Sequence, residues 1–393
     1  MGNKVFASGD EAIAIGVKLC KPKVIAAYPI TPQTIVVERL AEMVENKELN
    51  SKYIYVESEH SALSAVMGAA ALGVRTFTAT SSQGLLYMAE VLHYASGGRV
   101  PLVMMNANRS VALPWSIFDD QRDSLSLLDS GWIQVYVEDA QEALDTIIEA
   151  YKLAEDNRVL TPVMVNLDGF VLTHTYEGID IPSKEEVDNF LPFFNFPYKM
   201  DFEKPKNIFF SSSPEHNIAF KYAQHLAMIK AKEVIKELDT EFENIFHRSY
   251  GGLLKGYLVE DAEIVLITLG SITGTAREVV DELRETGKKV GIVKLRYMRP
   301  FPAEALLESL RGVKIVGVFE KDISFGYEGT VFTNVASTLK STDNSIKVFD
   351  FIGGLGGKNV SKNDIRNIFL KLIEIKNGGE LQRVNFVNIG VEV

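Results

Sequence analysis

The sequence predicts an α/β protein: a doubly wound parallel sheet followed by a second, smaller α/β domain. Over the first 175 residues, short apolar runs rich in Val, Ile, Thr and Tyr alternate with longer segments of helical periodicity. These apolar runs are nearly continuous, which is typical of strands buried on both faces of a parallel sheet. A second alternation of the same kind begins near residue 259. Together these patterns favour two α/β units in one chain.

The first unit contains six predicted strands and four predicted helices. The strands are "KVIAAYPI", "YIYVES", "RTFTATSS", "PLVMMNAN", "WIQVYVE" and "TPVMVNLDG". The helices are "QTIVVERLAEMVEN", "HSALSAVMGAAALG", "GLLYMAEVLHYASGG" and "DAQEALDTIIEAYKLAED". Before them, "SGDE" at residues 8–11 fits a capping box, in which a Ser and a Glu three residues later satisfy the first N-H groups of a helix.

The rest of the chain divides into a connector, a second domain and a tail. Residues 1–175 form the predicted first domain, which extends with its connector to about residue 250. The connector and bridging helix occupy 176–258, with an aperiodic aromatic stretch, "FLPFFNFPYKMDFEKPKNIFF", that suits a segment lying over another surface. The second domain is predicted at 259–376, where "KVGIVKLRYM" is one of its strands, and the tail at 377–393.

Composition excludes several classes of function. The chain has 393 residues, a net charge of -11 and no block of Lys and Arg, so neither a nucleic acid nor an anionic membrane is an expected partner. The longest apolar stretch is too short to span a bilayer, and the amino terminus lacks the pattern of a signal peptide. We therefore expect a cytoplasmic protein whose partners are small molecules and other proteins.

Metal and disulfide chemistry is not expected from this chain. Cys20 is the single cysteine, so the chain alone can form neither an internal disulfide nor a cysteine-ligated iron-sulfur or zinc site. The six histidines are scattered without metal-ligand spacing.

Three polar residues follow three predicted strands of the first sheet. Thr31, Glu59 and Arg109 come at carboxyl ends of strands, where open α/β sheets bind ligands. Arg109 offers a planar cationic fork for a carboxylate, and Thr31 adds a hydroxyl near a helix amino terminus. A small carboxylic acid fits that pair. Glu59 would repel such a ligand unless it is protonated or serves a different one, and Glu57 is an equally acidic rival for its place.

Structural alternatives exist for the same residues. Thr31 precedes a proline and a predicted helix, so its hydroxyl could cap that helix. Glu59 could complement a helix dipole from the first turn. Arg109 could pair with Asp119 or Asp120.

Three further segments carry weaker signals. "SSQGLLY" is a plausible anion nest that matches no phosphate-loop pattern. "SIFDDQRDSLSLLDSGW" is interpreted either as a loop over the site or as an ordinary solvated loop. "FDFIGGLGGKNVS" lacks the dinucleotide-binding order of glycines and is interpreted as a backbone turn or a partner contact.

Several motifs together carry a family resemblance. At "AAYPITPQT", "VESEHSALSAVMGAAALGVRTFTATSSQGL", "NANR" and "DSGW" the chain resembles the alpha subunit of the pyruvate:ferredoxin oxidoreductase family, the thiamine-dependent 2-oxoacid:acceptor oxidoreductases. The likeness is dense over residues 8–175 and persists through "AEIVLITLGSITGTAREVVDEL" and "RPFP". It implies a pyrimidine-binding first domain and a second domain like the carboxy-terminal domain of transketolases.

The resemblance assigns roles to the site. It implies that Thr31 and Arg109 hold the substrate carboxylate and that Glu59 contacts the aminopyrimidine ring of thiamine diphosphate, with Tyr28 and Pro29 beside the cofactor. A Glu bonded to N1′ of that ring favours the tautomer that removes the C2 proton. This role would explain why a carboxylate side chain lies in a site that binds a carboxylate substrate.

The resemblance also implies partners and a reaction. The expected reaction is oxidative decarboxylation of pyruvate with coenzyme A to acetyl-CoA and CO2, with electrons passing to ferredoxin, or the reverse. The family places the diphosphate and Mg2+ site on a beta subunit and [4Fe-4S] clusters on partner subunits, so a hetero-oligomer with beta, gamma and delta subunits is expected.

Departures from the family pattern bear on substrate preference. Phe118 and "LLDSGW" stand where many relatives carry a Trp and "QRDTGW". Relatives acting on oxalate are expected to carry Arg at the position of Thr31, which favours pyruvate here. Other 2-oxoacids, branched-chain, aryl or 2-oxobutyrate, and a non-catalytic docking subunit are the alternatives.

Overall fold

The computed structural model describes residues 3–205, 207, 209–340 and 346–390. The strands are β1 (Asn3–Ser8), β2 (Val24–Ala27), β3 (Lys52–Tyr55), β4 (Thr76–Thr80), β5 (Val103–Asn108), β6 (Ile133–Tyr136), β7 (Val163–Asp168), β8 (Tyr176–Ile181), β9 (Leu254–Tyr257), β10 (Ile264–Leu269), β11 (Val290–Leu295), β12 (Tyr297–Arg299), β13 (Ile315–Glu320), β14 (Lys347–Ile352) and β15 (Val384–Phe386). The helices are α1 (Gly9–Cys20), α2 (Thr34–Glu45), α3 (Glu59–Ala71), α4 (Ser82–Tyr87), α5 (Ala89–Gly97), α6 (Arg122–Leu125), α7 (Ala140–Glu155), α8 (Lys184–Phe190), α9 (Pro214–Phe246), α10 (Ile272–Glu285), α11 (Ala303–Ser309), α12 (Thr330–Lys340) and α13 (Lys362–Lys376).

The first sheet has the order β12-β6-β7-β5-β4-β2-β3, and all its pairs are parallel except β12 with β6. Successive residues of its strands pack into different cores: Ile25 and Ala27 join the core under α1, α2 and α7, whereas Ala26 joins the core under α3 and α5. Both faces are therefore covered by helices. The doubly wound parallel fold and the six predicted strands are confirmed.

Local sequence signals account for the ends of several helices. Ser8 caps α1: its hydroxyl accepts from the Glu11 amide at 3.3 Å, and the Glu11 carboxylate accepts from the Ser8 amide at 3.1 Å. The predicted capping box is thus confirmed. The helix predicted over residues 84–98 is in fact two helices, α4 and α5, which meet at Met88. The antiparallel pair β1 and β8 was not predicted.

A long bridging helix is present within the segment predicted for it, 176–258. α9 runs from Pro214 to Phe246, and its carboxyl half buries Val234, Leu238 and Phe242 against the first core. In the aromatic stretch before it, Leu191 and Phe196 are buried, whereas Phe193 and Phe202 are exposed. The residue at which each domain begins or ends stays a prediction.

The second sheet has the order β15-β14-β13-β10-β11-β9, with β9 antiparallel to β11. The segment predicted as one strand, "KVGIVKLRYM", divides at Arg296: β11 belongs to this sheet, and β12 crosses to pair with β6 of the first sheet. In the tail, β15 extends the second sheet beside β14, and residues 391–393 lie outside the described part of the chain.

Among the described helices, none combines the length and the apolar character needed to cross a bilayer.

Candidate functional site

Four loops meet along one edge of the first sheet. They follow β3, β2, β4 and β5, which are consecutive neighbours in the sheet. Parallel strands end at the same edge of a sheet. The residues that follow these strands therefore lie in a row along that edge, in the order Glu59, Thr31, the turn at 80–84 and Arg109. The sequence prediction that the three candidate residues share one edge agrees with this topology.

Arg109 is a buried cation that forms no ion pair with any acid among the described residues. Its side chain is 6% exposed, and its Nη1 donates to the backbone carbonyl of Thr31 at 2.8 Å. Its Nε is buried and has no hydrogen-bond partner within the described chain. Burial lowers the pKa of Arg109, and Asp123 only partly offsets that effect. Removing a guanidinium from water without an internal counterion is unfavourable, so this group is poised for an external anion.

Neither acid considered as a partner for Arg109 pairs with it. Asp119 binds the ammonium group of Lys321, which also binds Asp168. Asp120 binds Arg122, with Oδ2 2.9 Å from Nη2. The internal-pair alternative is therefore wrong.

Thr31 lies in an exposed turn between β2 and α2. α2 begins at Thr34, and its N-cap residue is Gln33, which makes no side-chain capping bond. The helix-cap alternative for Thr31 is thus wrong. Gln33 instead donates from Nε2 to the carbonyl of Tyr28 at 2.8 Å, which closes the turn. Tyr28, Pro29 and Thr31 are all exposed there.

Glu59 lies in the first turn of α3, which Ser58 caps by accepting from the Ser61 amide at 3.2 Å. Its side chain is buried. Its carboxylate packs over Gly84: a Cβ added to that glycine would lie 2.7 Å from Glu59 Oε1. The glycine is therefore required for the placement of the acid.

Two hydroxyls near Glu59 have unused hydrogen-bonding capacity. The same Cβ on Gly84 would lie 2.6 Å from Thr80 Oγ1. Thr80 Oγ1 and Ser81 Oγ are buried without partners among the described residues. Glu57, the rival acid, is exposed and accepts from the Ser61 hydroxyl. The structure thus separates the two acids: one is buried beside unpaired polar atoms, and the other is engaged at the surface.

Sequence reasoning missed Asp123. The segment at 116–132 was expected to be a loop, but it contains α6, and Asp123 at its second position is fully buried. Its carboxylate accepts from the backbone amide of Ser82 at 3.0 Å and from that of Arg109 at 3.2 Å. Within "SSQGLLY", the segment proposed as an anion nest, the Ser82 amide therefore donates to a carboxylate of this chain. The sequence signal for its burial is that Asp123 lies within the apolar spacing of "RDSLSLL". The polar residues of that segment give it the pattern of a solvated loop, which hides the signal.

The glycine-rich segment after β14 packs on the same loop. The carbonyl of Gly356 accepts from the Ser116 hydroxyl at 2.9 Å, and its amide donates to Asp120 Oδ2 at 3.1 Å. Gly357 has a φ of 80°, and an added Cβ would lie 2.2 Å from the Cβ of Phe118. These contacts agree with the predicted backbone turn, and a contact with a partner stays a prediction.

Chemically, this edge offers a cationic site for a carboxylate and, across the turn at 80–84, a buried acid that can bind a protonated ring nitrogen. No group of three or more His, Cys, Asp or Glu suited to a metal ion occurs among the described residues.

Comparison with known families gives two matches on this chain. Residues 15–240 match the family described as pyruvate flavodoxin/ferredoxin oxidoreductase, thiamine diphosphate-binding. Residues 262–365 match pyruvate:ferredoxin oxidoreductase core domain II.

Similar proteins and structures agree with those matches. The pyruvate synthase subunit PorA of Methanothermobacter thermautotrophicus is 47% identical, covering 92% of this chain and 93% of that protein. The ketoisovalerate oxidoreductase subunit VorA of Pyrococcus horikoshii is 43% identical, covering 97% and 96%. The 2-oxoglutarate:ferredoxin oxidoreductase of Magnetococcus marinus shares the fold, with a TM-score of 0.73 and 21% identity. The match covers 95% of this chain and 66% of that one.

Proposed function

Since this chain belongs to the pyruvate flavodoxin/ferredoxin oxidoreductase family, we propose that it is the alpha subunit of a pyruvate:ferredoxin oxidoreductase. The reaction is the thiamine diphosphate-dependent conversion of pyruvate and coenzyme A to acetyl-CoA and CO2, with electrons passed to ferredoxin, or its reverse. Relatives named as subunits of pyruvate synthase and of ketoisovalerate oxidoreductase share the 2-oxoacid class.

The buried guanidinium of Arg109 is the observation that carries this proposal. A buried charge in a folded protein is normally paired, but Arg109 forms no ion pair with a carboxylate of the described chain. A 2-oxoacid brings the missing carboxylate. The unpaired Nε supplies a donor for it, and the exposed Thr31 hydroxyl lies in the turn that Arg109 contacts.

The residues around Glu59 fit the aminopyrimidine end of thiamine diphosphate. Glu59 would accept from the protonated ring N1′, because its carboxylate is buried and is held close against Gly84. Thr80 and Ser81 supply unpaired hydroxyls nearby, and Tyr28 and Pro29 would line the cofactor from the turn after β2. When bound, thiamine diphosphate supplies the nucleophilic carbon and the electron sink for decarboxylation.

Two features support the proposed partners: the ligands that the candidate site supplies and the apolar side chains exposed around it. Its candidate site supplies ligands for a carboxylate and a pyrimidine, so a beta subunit would contribute the diphosphate and Mg2+ contacts. Exposed apolar side chains surround the sheet edge, namely Tyr55, Tyr87, Leu113 and Trp115. A surface of this kind is typical of a protein interface.

Electron transfer would use [4Fe-4S] clusters on partner subunits, including gamma and delta subunits, before ferredoxin. The cytoplasmic location expected from the sequence stays a prediction.

The test is turnover of the assembled enzyme across a substrate panel. The chain is purified with its co-expressed partner subunits, and ferredoxin reduction is measured with coenzyme A and pyruvate, 2-oxobutyrate, 2-oxoisovalerate, an aryl 2-oxoacid or 2-oxoglutarate. We expect the highest kcat/KM with pyruvate. A higher value with 2-oxoisovalerate would assign the branched-chain reaction, which the ketoisovalerate oxidoreductase relatives favour as the second candidate.

A further inference from the structure

We propose that Asp123 is a positioning residue that holds the Arg109 half and the Glu59 half of the site in register. The inference rests on the proposed function, because it assigns those two residues to substrate and cofactor. Asp123 itself is buried and would touch neither ligand.

Five donors converge on this one carboxylate. Oδ2 accepts from the amides of Ser82 at 3.0 Å and Arg109 at 3.2 Å, and from Asn106 Nδ2 at 3.3 Å. Oδ1 accepts from Asn108 Nδ2 at 2.7 Å and from the Ser124 amide at 2.7 Å. A carboxylate has about four lone-pair sites, so five donors occupy all of its accepting capacity. Three of the five are backbone amides, so the arrangement fixes the backbone as well as the charge.

The Oδ2 contacts join the two halves. The Arg109 amide belongs to the residue whose guanidinium faces the substrate side, and the Ser82 amide belongs to the turn between β4 and α4. Ser82 also donates from its hydroxyl to the carbonyl of Ser110 at 2.7 Å, which makes a second link between the same two loops. Two residues beyond Ser82, Gly84 lies against the carboxylate of Glu59. A shift at Asp123 would therefore move both halves of the site.

The charge of Asp123 is part of this arrangement. All five partners are N-H donors, so the carboxylate can only accept, and a proton on either oxygen would displace one of them. Burial raises the pKa of Asp123 to about 6, although its hydrogen bonds oppose that rise.

The charged neighbours of Asp123 do not titrate in the same range. The ionisable groups that interact with it are Arg109, at the end of β5, and Tyr136, on β6. Burial raises the pKa of Tyr136, so that phenol is neutral below pH 10. On its own helix, Arg122 is paired with Asp120. Protonation of Asp123 below about pH 6 should therefore displace one of its donors and shift the loop that carries it, so activity should fall as the pH falls.

The first test is Asp123→Asn in the assembled enzyme. An amide of the same shape turns an N-H group toward N-H donors, so we expect kcat/KM for the preferred 2-oxoacid to fall by about tenfold to a hundredfold. The KM for that acid and the apparent Kd for thiamine diphosphate should both rise. A rise in only one of them, or in neither, would overturn the coupling of the two halves.

Asn108→Ala tests the same idea with a smaller change. Deleting one donor raises the pKa of the carboxylate further, so the acid limb of kcat/KM should move to higher pH than in the wild type. An acid limb at the wild-type pH would contradict the proposal, and this readout survives even if Asp123→Asn does not fold.

Asp145→Asn is the matched control. Asp145 is also buried and accepts from Arg248 Nε and from the Tyr250 hydroxyl, both at 2.6 Å, but it lies in α7 away from the sheet edge. Its variant should keep the wild-type KM and acid limb. Failure of the wild-type assembly to turn over any 2-oxoacid would instead defeat the proposed function, so the two failures are distinguishable.

Discussion

Two arginines are buried in the described part of the chain, and their surroundings are opposite in charge. Arg296 lies between β11 and β12, where the chain crosses from one sheet to the other, and it binds Glu142 through Nε at 2.7 Å and Glu149 at 3.5 Å. Its Nη1 also donates to the Gly252 carbonyl at 2.8 Å. Arg109, at the sheet edge, has a backbone carbonyl as its partner and an unpaired Nε.

The pKa shifts of the two groups follow from those surroundings. The neighbouring carboxylates raise the pKa of Arg296 even though burial opposes the rise, whereas burial lowers the pKa of Arg109. The structural arginine is thus neutralised within the chain. Under the proposed function, the counterion of Arg109 is the carboxylate of the substrate.

The largest effect is expected for Glu59→Gln at the sheet edge. An amide cannot favour the protonated ring nitrogen, so turnover of the assembled enzyme should fall by roughly 10²-fold to 10⁴-fold. Ferredoxin reduction at saturating pyruvate measures it, with co-purification confirming assembly. Full activity in this variant would support the docking-subunit alternative.

Glu142→Gln is the matched change in the internal network. Glu142 binds both Lys294 and Arg296, so this variant should unfold at lower urea concentration. The enzyme that remains folded should turn over normally.

The next effect is expected for Arg296→Met. The buried acids Glu142 and Glu149 then lose their ion pairs with this guanidinium. The loss should lower the free energy of unfolding by about 3 to 5 kcal/mol. The urea dependence of unfolding of the assembled enzyme measures the change. Stability equal to the wild type would show that the network does not hold the two sheets together.

Arg109→Ala should affect binding and not stability. Loss of the cationic fork should weaken transition-state and substrate binding by about 2 to 4 kcal/mol, seen as a higher KM for pyruvate. Because the change breaks no ion pair seen among the described residues, unfolding should occur at the wild-type urea concentration or above it. Arg109→Lys keeps the charge but loses the fork, so its KM for pyruvate should lie between those of the wild type and Arg109→Ala.

The smallest effect is expected for Arg158→Ala at the surface. Arg158 forms solvent-exposed ion pairs with Asp156 and Glu237, and 43% of its side chain is exposed. Its removal should change the free energy of unfolding by less than about 1 kcal/mol. A loss as large as that of Arg296→Met would mean that burial does not decide the outcome.

Local periodicity predicted most of the elements. The helical character of α9 and six of the seven described strands of the first sheet follow from side-chain spacing within each segment. The division of "KVGIVKLRYM" at Arg296 could not be predicted, because apolar residues continue on both sides and the acids that fix the arginine are about 150 positions away. β12 owes its place to long-range contacts.

At the candidate site, the sequence predicts the edge of the sheet but not the residues that position the site there. Thr31, Glu59 and Arg109 follow strands, and that position is visible in sequence. The burial that separates Glu59 from Glu57 depends on Gly84, which belongs to a different strand-helix turn. Asp123 was missed for the same reason, since its donors come from loops after β4 and β5.

The most direct measurement compares pyruvate with its neutral methyl ester in wild-type enzyme and in Arg109→Ala. If the guanidinium is the counterion of the substrate carboxylate, the wild type should strongly prefer pyruvate in kcat/KM, and the variant should lose most of that preference by losing activity on pyruvate alone. An equal loss for both compounds, with the preference intact, would contradict the account.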